Sequence, residues 1–379
     1  MRAVLAFLGA LIVLAGLAAP ASADVFTVRG VEVDVNAANA SESRRQAIAA
    51  GQLEAAQRLI ERLTREADRF NAPPLDAARA ARLVAGFNID EERLIGGTRY
   101  VGRLTVEFDP GAVRNLLEAY EVPYVLSTAR PAVVVPLWRE NGEMRLWQNN
   151  PWLEVWAAAG ASDELIPVIT PSGDFMDLSA VTAEQAARVD LGALERLASN
   201  YGAVRALIVL AEPAGAAPQP VEGEAAVPDA ETLLVRAQMI GVDFSQGGDV
   251  TEYGTVGTGP AVEIARQSAS MLQEDWKAQV FVSEPYLSDL EVSVLFNSLA
   301  EWSRLQYIIG GEPLVQDAQL EALTNDGASM HIEHRGRIEQ LELVLREQGA
   351  ELFETRQGWI ISANNGGAAA ADAGGLTPP

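Results

Sequence analysis

Apolar residues in this chain switch repeatedly between a period of two and a period near 3.6, which limits the fold to short strands and helices packed as α+β layers. Val31, Val33 and Val35 alternate with Glu32, Asp34 and Asn36, the pattern of a half-buried strand. Asn39 with Glu42 three residues on starts a helix, in which Ala49, Leu53, Ala56, Ile60 and Leu63 share one face. A second helix is predicted over 75–85, after Pro73-Pro74. Tyr100, Leu104, Val106 and Phe108 then face one side of a strand and Arg103, Thr105 and Glu107 the other, behind a Gly96-Gly97 turn. Asp109-Pro110 opens a short helix. The order β-α-α-β-β-α defines a first module over 24–120.

A central α/β domain is expected over 121–284. Ala132 to Leu137, Leu165 to Ile169 and Ala206 to Leu210 read as strands, with helices opening at Pro151 and Asp190. Pro213 to Pro228 is Ala/Pro/Gly-rich and reads as an exposed loop. Strands over 232–241 and 249–255 lead to a helix beginning at Gly259-Pro260. A third module, 285–363, has the order β-α-β-β-α-β and resembles a ferredoxin-like sandwich, with Gly349 as a helix C-cap and a closing hairpin around Gln357-Gly358. The Gly/Ala/Pro-rich segment 364–379 reads as a disordered tail.

The amino terminus sets the compartment. Arg2, the apolar run Ala3 to Leu17, Pro20 and the box Ala21-Ser22-Ala23 have the layout of a secretory signal peptide, 1–23, cleaved after Ala23. The expected location is the periplasm, with no membrane span after signal removal. The chain has no cysteine, so neither a disulfide nor a lipidated cysteine is available and stability must come from packed cores. A net charge of -24 excludes nucleic acid and anionic membrane surfaces as partners, because both demand clustered positive charge. Lys277 is the single lysine.

Sites of chemistry are sparse. The only histidines, His331 and His334, flank Glu333 on a predicted strand and point to opposite faces, so they read as surface residues and no metal site is expected. No G-x-S-x-G is present, and Thr170-Pro171-Ser172-Gly173-Asp174 reads as a turn. Gly254 to Gly259 lacks the basic residue of a phosphate loop and reads as the end of a hairpin. Asp90, Glu91 and Glu92 form an acidic run. Asp174 and Asp177 are the first carboxylates to examine for hydrolysis. No catalytic residue and no cofactor are assigned.

The most distinctive local feature is aromatic: Trp138, Trp147, Trp152 and Trp156 cluster around Asn149-Asn150-Pro151. Tryptophan buries a large area, so the first reading is core. If the molecule carries a binding surface, this segment is the first candidate for it.

Val25-Phe26-Thr27-Val28-Arg29-Gly30-Val31, Arg44-Arg45-Gln46-Ala47 and Leu59-Ile60-Glu61-Arg62-Leu63-Thr64, with Arg130-Pro131, Trp147 and Asn150-Pro151-Trp152, resemble the proteobacterial exported family catalogued as domain of unknown function 2066. The resemblance spans most of the mature chain and implies an envelope protein without an assigned activity. At the level of fold alone, the first two modules are similar to envelope accessory proteins that pair small α+β modules with a domain resembling the N-terminal domain of TolB. The expected function is a non-enzymatic binding or assembly module whose partner is an envelope protein or peptidoglycan. The alternative is a carboxylate-dependent hydrolase of envelope material. The oligomeric state is not legible.

Overall fold

The computed structural model describes residues 25–159, 164–215, 233–283 and 286–364. The expected signal peptide, most of the 213–228 loop and the tail after Asn364 lie outside the described residues. Helices and strands are mixed in an α+β arrangement of three sheets.

The first sheet contains β1 (Thr27–Asn36), β2 (Val84–Ile95) and β3 (Arg99–Phe108), ordered β1-β3-β2 and antiparallel throughout. Helices α1 (Ala40–Leu63), α2 (Ala77–Leu83) and α3 (Pro110–Ala119) complete the layer. The caps are those expected: Asn39 accepts from the Glu42 N–H at 3.0 Å and Asp109 from the Ala112 N–H at 2.7 Å. Val31, Leu104 and Val106 are fully buried with Ala55, Ala56 and Leu59 of α1. Gly51 lets the helix approach closely, since a Cβ there would fall 2.5 Å from Leu104 Cδ1. The second helix is shorter than expected, because Val84 and Ala85 already belong to β2.

The central sheet holds β4 (Ala132–Glu140), β5 (Glu143–Arg145), β6 (Val168–Ile169), β7 (Arg205–Pro213), β8 (Leu234–Asp243) and β9 (Asp249–Pro260). Its order is β5-β4-β7-β8-β9, with β6 beside β4; β4 runs parallel to β6 and β7, and the other pairs are antiparallel. Helices α4 (Pro151–Ala159) and α8 (Ala261–Val280) cover one face, and α5 (Phe175–Ala180), α6 (Ala183–Ala187) and α7 (Leu191–Asn200) the other. Val133, Val135 and Leu137 pack with Leu194 and Leu197, while Val134 and Trp138 pack toward Trp152 and Trp276. Burial on both faces explains why β4 reads as a continuous apolar run. Gly254 to Gly259 forms the last part of β9, which ends at Pro260, the N-cap of α8.

The third sheet differs from the expected four-stranded sandwich. It contains β10 (Leu287–Leu295), β11 (Val315–Leu323), β12 (Gly327–Arg335), β13 (Ala350–Thr355) and β14 (Gly358–Ala363), ordered β11-β12-β10-β14-β13. The closing hairpin inserts β14 parallel to β10 and leaves β13 at the edge. Helices α9 (Leu299–Gly311) and α10 (Ile338–Gln348) pack their apolar sides on one face.

Helix α8 joins the three layers, and one continuous core runs through all of them. Lys277 Nζ, on α8, donates to the Glu61 and Thr64 carbonyls at the end of α1, at 2.8 and 3.0 Å, and pairs with Glu274 at 2.9 Å. It satisfies carbonyls that a helix end leaves without intrahelical partners. Trp276 Nε1 donates to the Ser127 carbonyl at 3.1 Å. No helix among the described residues is long and apolar enough to cross a membrane.

Candidate functional site

The tryptophan-rich segment is mainly core. Trp138, Trp152 and Trp156 are 2%, 0% and 3% exposed, so none of the three presents a surface to a partner. Trp152 Nε1 donates to the Val209 carbonyl at 3.0 Å, and its ring meets Trp156 edge to face at 5.8 Å. Trp147 is half-buried, with its indole N–H on the Val181 carbonyl. Asn150 supports the turn: its amide donates to the Pro136 and Leu146 carbonyls while its oxygen accepts from the Trp152 and Leu153 N–H groups at the start of α4.

Asp174 and Asp177 form a capping box at the start of α5. Asp177 is buried and accepts from the Tyr201 hydroxyl at 2.8 Å and from the Gly173 N–H at 2.8 Å. Both carboxylates are thus consumed by helix capping. His331 is on the surface as expected, but His334 is 3% exposed on the helix-covered side, where burial pulls its imidazole below the ordinary range.

Buried polar contacts fix the third layer to the central one. Glu347 of α10 is 0% exposed and takes the Arg205 guanidinium through Nη1 at 3.0 Å and through Nη2, while Arg205 Nε meets Asp243 at 2.8 Å. Burial opposes the charge on Arg205, but the carboxylates of Glu347 and Asp243 more than offset it and raise its affinity for the proton. Glu312, 3% exposed at the end of α9, accepts from the Ser127 hydroxyl and the Leu314 N–H. Burial pushes its carboxyl up to about 7 despite those bonds. A cavity of about 210 Å³ lies between β7–β9 and α8, lined by Arg205, Asp243, Tyr253, Asp275 and Trp276. Its principal charged groups are already engaged: Arg205 with Glu347 and Asp243, and Asp275 with the Tyr253 hydroxyl at 3.1 Å.

The candidate site is instead the open face of the C-terminal sheet. Register aligns Asp289 of β10, Glu333 of β12 and Asp317 of β11 in one row across three adjacent strands. The next row holds Glu291, His331 and Gln319. Glu321 lies beyond it, bonded by Ser329 at 3.1 Å. The arginine of this face, Arg335, is 17% exposed and turns to Glu118 at 3.5 Å. Exposed Leu287 and Leu295 sit at the two ends of β10. His331 Nε2 lies 3.2 Å from Asp289 Oδ1, and donor atoms of Asp289, His331 and Glu333 all fall within 4.8 Å of one another. Sequence reasoning missed this group because its members come from different strands. The one signal available was that His331 and Glu333, two apart on a strand, share a face.

A family model described as a domain of unknown function (DUF8605) matches residues 28–125, which carry the first sheet and its helices. It is a different family from the one catalogued as domain of unknown function 2066, so that resemblance is corrected. The segments behind it are the β1 and α1 patterns, with short pieces before β4 and at the start of α4, and half-buried strand–helix pairs of many kinds satisfy such patterns. No curated protein and no solved structure matches the chain.

Proposed function

We propose that the chain is an exported periplasmic protein, cleaved after Ala23, that works without catalysis as a binding or assembly module of the cell envelope. Its docking surface is the open face of the C-terminal sheet, and its partner is a basic segment of another envelope protein. The observation that carries this reading is the acid–acid–acid row Asp289, Glu333 and Asp317 on an uncovered sheet face. Like charges directly opposite each other on a sheet are destabilising. A face built that way favours a positively charged occupant. The signal-like segment from Arg2 to Ala23 supports export.

Site-specific photocrosslinkers in intact cells test both parts. A crosslinker at Gln319 is expected to trap a discrete protein, and one at Thr105 on the first sheet is not. Glu351 of β13 is in register with Ser362 and, through it, with exposed Leu295 on the same face, and Glu321→Lys with Glu351→Lys should abolish the Gln319 product. Trapping that survives this reversal, or retention on purified peptidoglycan as the sole interaction, overturns the docking surface. A mature form that stays in the cytoplasmic fraction overturns export.

A further inference from the structure

The first sheet shows how this chain handles flanking acids on an open face. Glu32 of β1 and Glu91 of β2 oppose Arg103 of β3 on either side, at 3.5 and 3.2 Å. A positive centre stands between two carboxylates. In the C-terminal sheet the corresponding row has Glu333 between Asp289 and Asp317, and no lysine or arginine is paired with any of the three among the described residues. What the row has in place of a cation is an imidazole beside it: His331 lies two residues before Glu333, on the same side of the sheet.

We infer that Asp289, His331 and Glu333 hold a divalent transition-metal ion of the zinc class. Zinc binds imidazole nitrogen and carboxylate oxygen at ~2.0–2.2 Å, which places neighbouring donors ~3.3 Å apart around a tetrahedral ion. The 3.2 Å between His331 Nε2 and Asp289 Oδ1 already matches that spacing, and the Glu333 donor lies within 4.8 Å of both. The backbone needs no rearrangement, because β10 and β12 are directly paired inside the five-stranded sheet. Calcium and magnesium prefer oxygen donors alone, so the imidazole selects against them. His334 takes no part, being buried on the opposite side. Three protein donors leave further coordination positions for water or for a group from outside. The His331 and Asp289 side chains are 32% and 72% exposed, so those positions open to solvent. The ion supplies the positive centre that Arg103 supplies on the first sheet. It does not depend on a protein docking here.

Titration calorimetry of the mature, metal-stripped protein with zinc chloride tests the site, with cobalt(II) absorption as a second readout. One zinc per chain is expected. His331→Ala, Asp289→Asn and Glu333→Gln should each weaken binding at least ~10-fold, the scale seen when metal-site partners are removed. Glu321→Gln, an acid of the same face outside the triad, should leave affinity within about twofold. Cobalt should give an absorption band in the visible range that His331→Ala abolishes. Matching melting temperatures of the metal-free proteins would show that the variants fold. Absence of stoichiometric binding overturns the inference, and so does an equal loss in Glu321→Gln, which would mean diffuse attraction. The Glu321→Lys, Glu351→Lys protein separates this site from the docking surface: it should lose the crosslinked partner and keep its zinc.

Discussion

Two open sheet faces of the same α+β kind meet solvent in this molecule with opposite charge arrangements. On the first, Arg103 sits between Glu32 and Glu91, and Arg99 reaches Asp34 with Nε at 2.8 Å. On the second, Glu333 sits between Asp289 and Asp317. Strand geometry alone does not account for the difference, since both rows cross three adjacent strands. On the first face a guanidinium stands between the acids, and on the second, among the described residues, no lysine or arginine does.

The Arg205–Glu347 pair helps to hold the two faces on one body, and breaking it has the largest expected effect. Glu347→Ala leaves the buried Arg205 guanidinium with Asp243 as its carboxylate and the Arg130 carbonyl as its other acceptor. Loss of one partner of a buried pair costs ~3–5 kcal/mol, to be read by urea unfolding. An unchanged midpoint would mean that this ion pair adds nothing to the hold between the layers.

Glu312 extends the contrast inward, as a buried acid of the C-terminal layer bonded to Ser127 and Leu314 and, among the described residues, to no cation. Its carboxyl is raised from 4.5 to about 7 in the folded protein. Its contribution to stability is therefore fully present below about 4.5 and lost as pH rises through about 7. The loss amounts to roughly 3 kcal/mol at 1.36 kcal/mol per unit. Unfolding free energies across that window should fall in the native protein, and the fall should shrink in Glu312→Gln.

Two smaller effects act on the faces themselves. Arg103→Ala leaves Glu32 and Glu91 uncompensated and should destabilise by ~0.5–1 kcal/mol at low salt, as for other exposed pairs. Glu333→Gln should do the reverse in metal-free protein and stabilise by a few tenths of a kcal/mol. That gain should fade at 1 M salt, where screening shortens to ~3 Å. Thermal melts at two ionic strengths check both. Equal signs for the two substitutions would erase the distinction between the faces.

Local features of the fold were legible where one residue decides them. Asn39 and Asp109 cap their helices, Gly96-Gly97 turns the first hairpin, and Gly349 takes the left-handed conformation, with φ of 89°, after α10. The short helices α5 and α6 escaped because their apolar faces are too brief to show a period. The parallel placement of β14 escaped because a hairpin does not announce which of its strands will join the sheet. The same limit hid the acidic row: positions 289, 317 and 333 are brought side by side only by register between strands. The tryptophan segment was read from composition, and burial decided the matter for Trp138, Trp152 and Trp156.

Lys277 has a consequence for anyone handling the protein. It is the sole side-chain amine in the chain, and it lies 2% exposed against the end of α1. Burial also lowers its proton affinity, with Glu274 acting the other way. Amine-directed acylating reagents applied to the folded protein therefore meet no exposed lysine among the described residues. Slow acylation of Lys277 then serves as a clock for the opening of the seam between α1 and α8, read by mass from one residue.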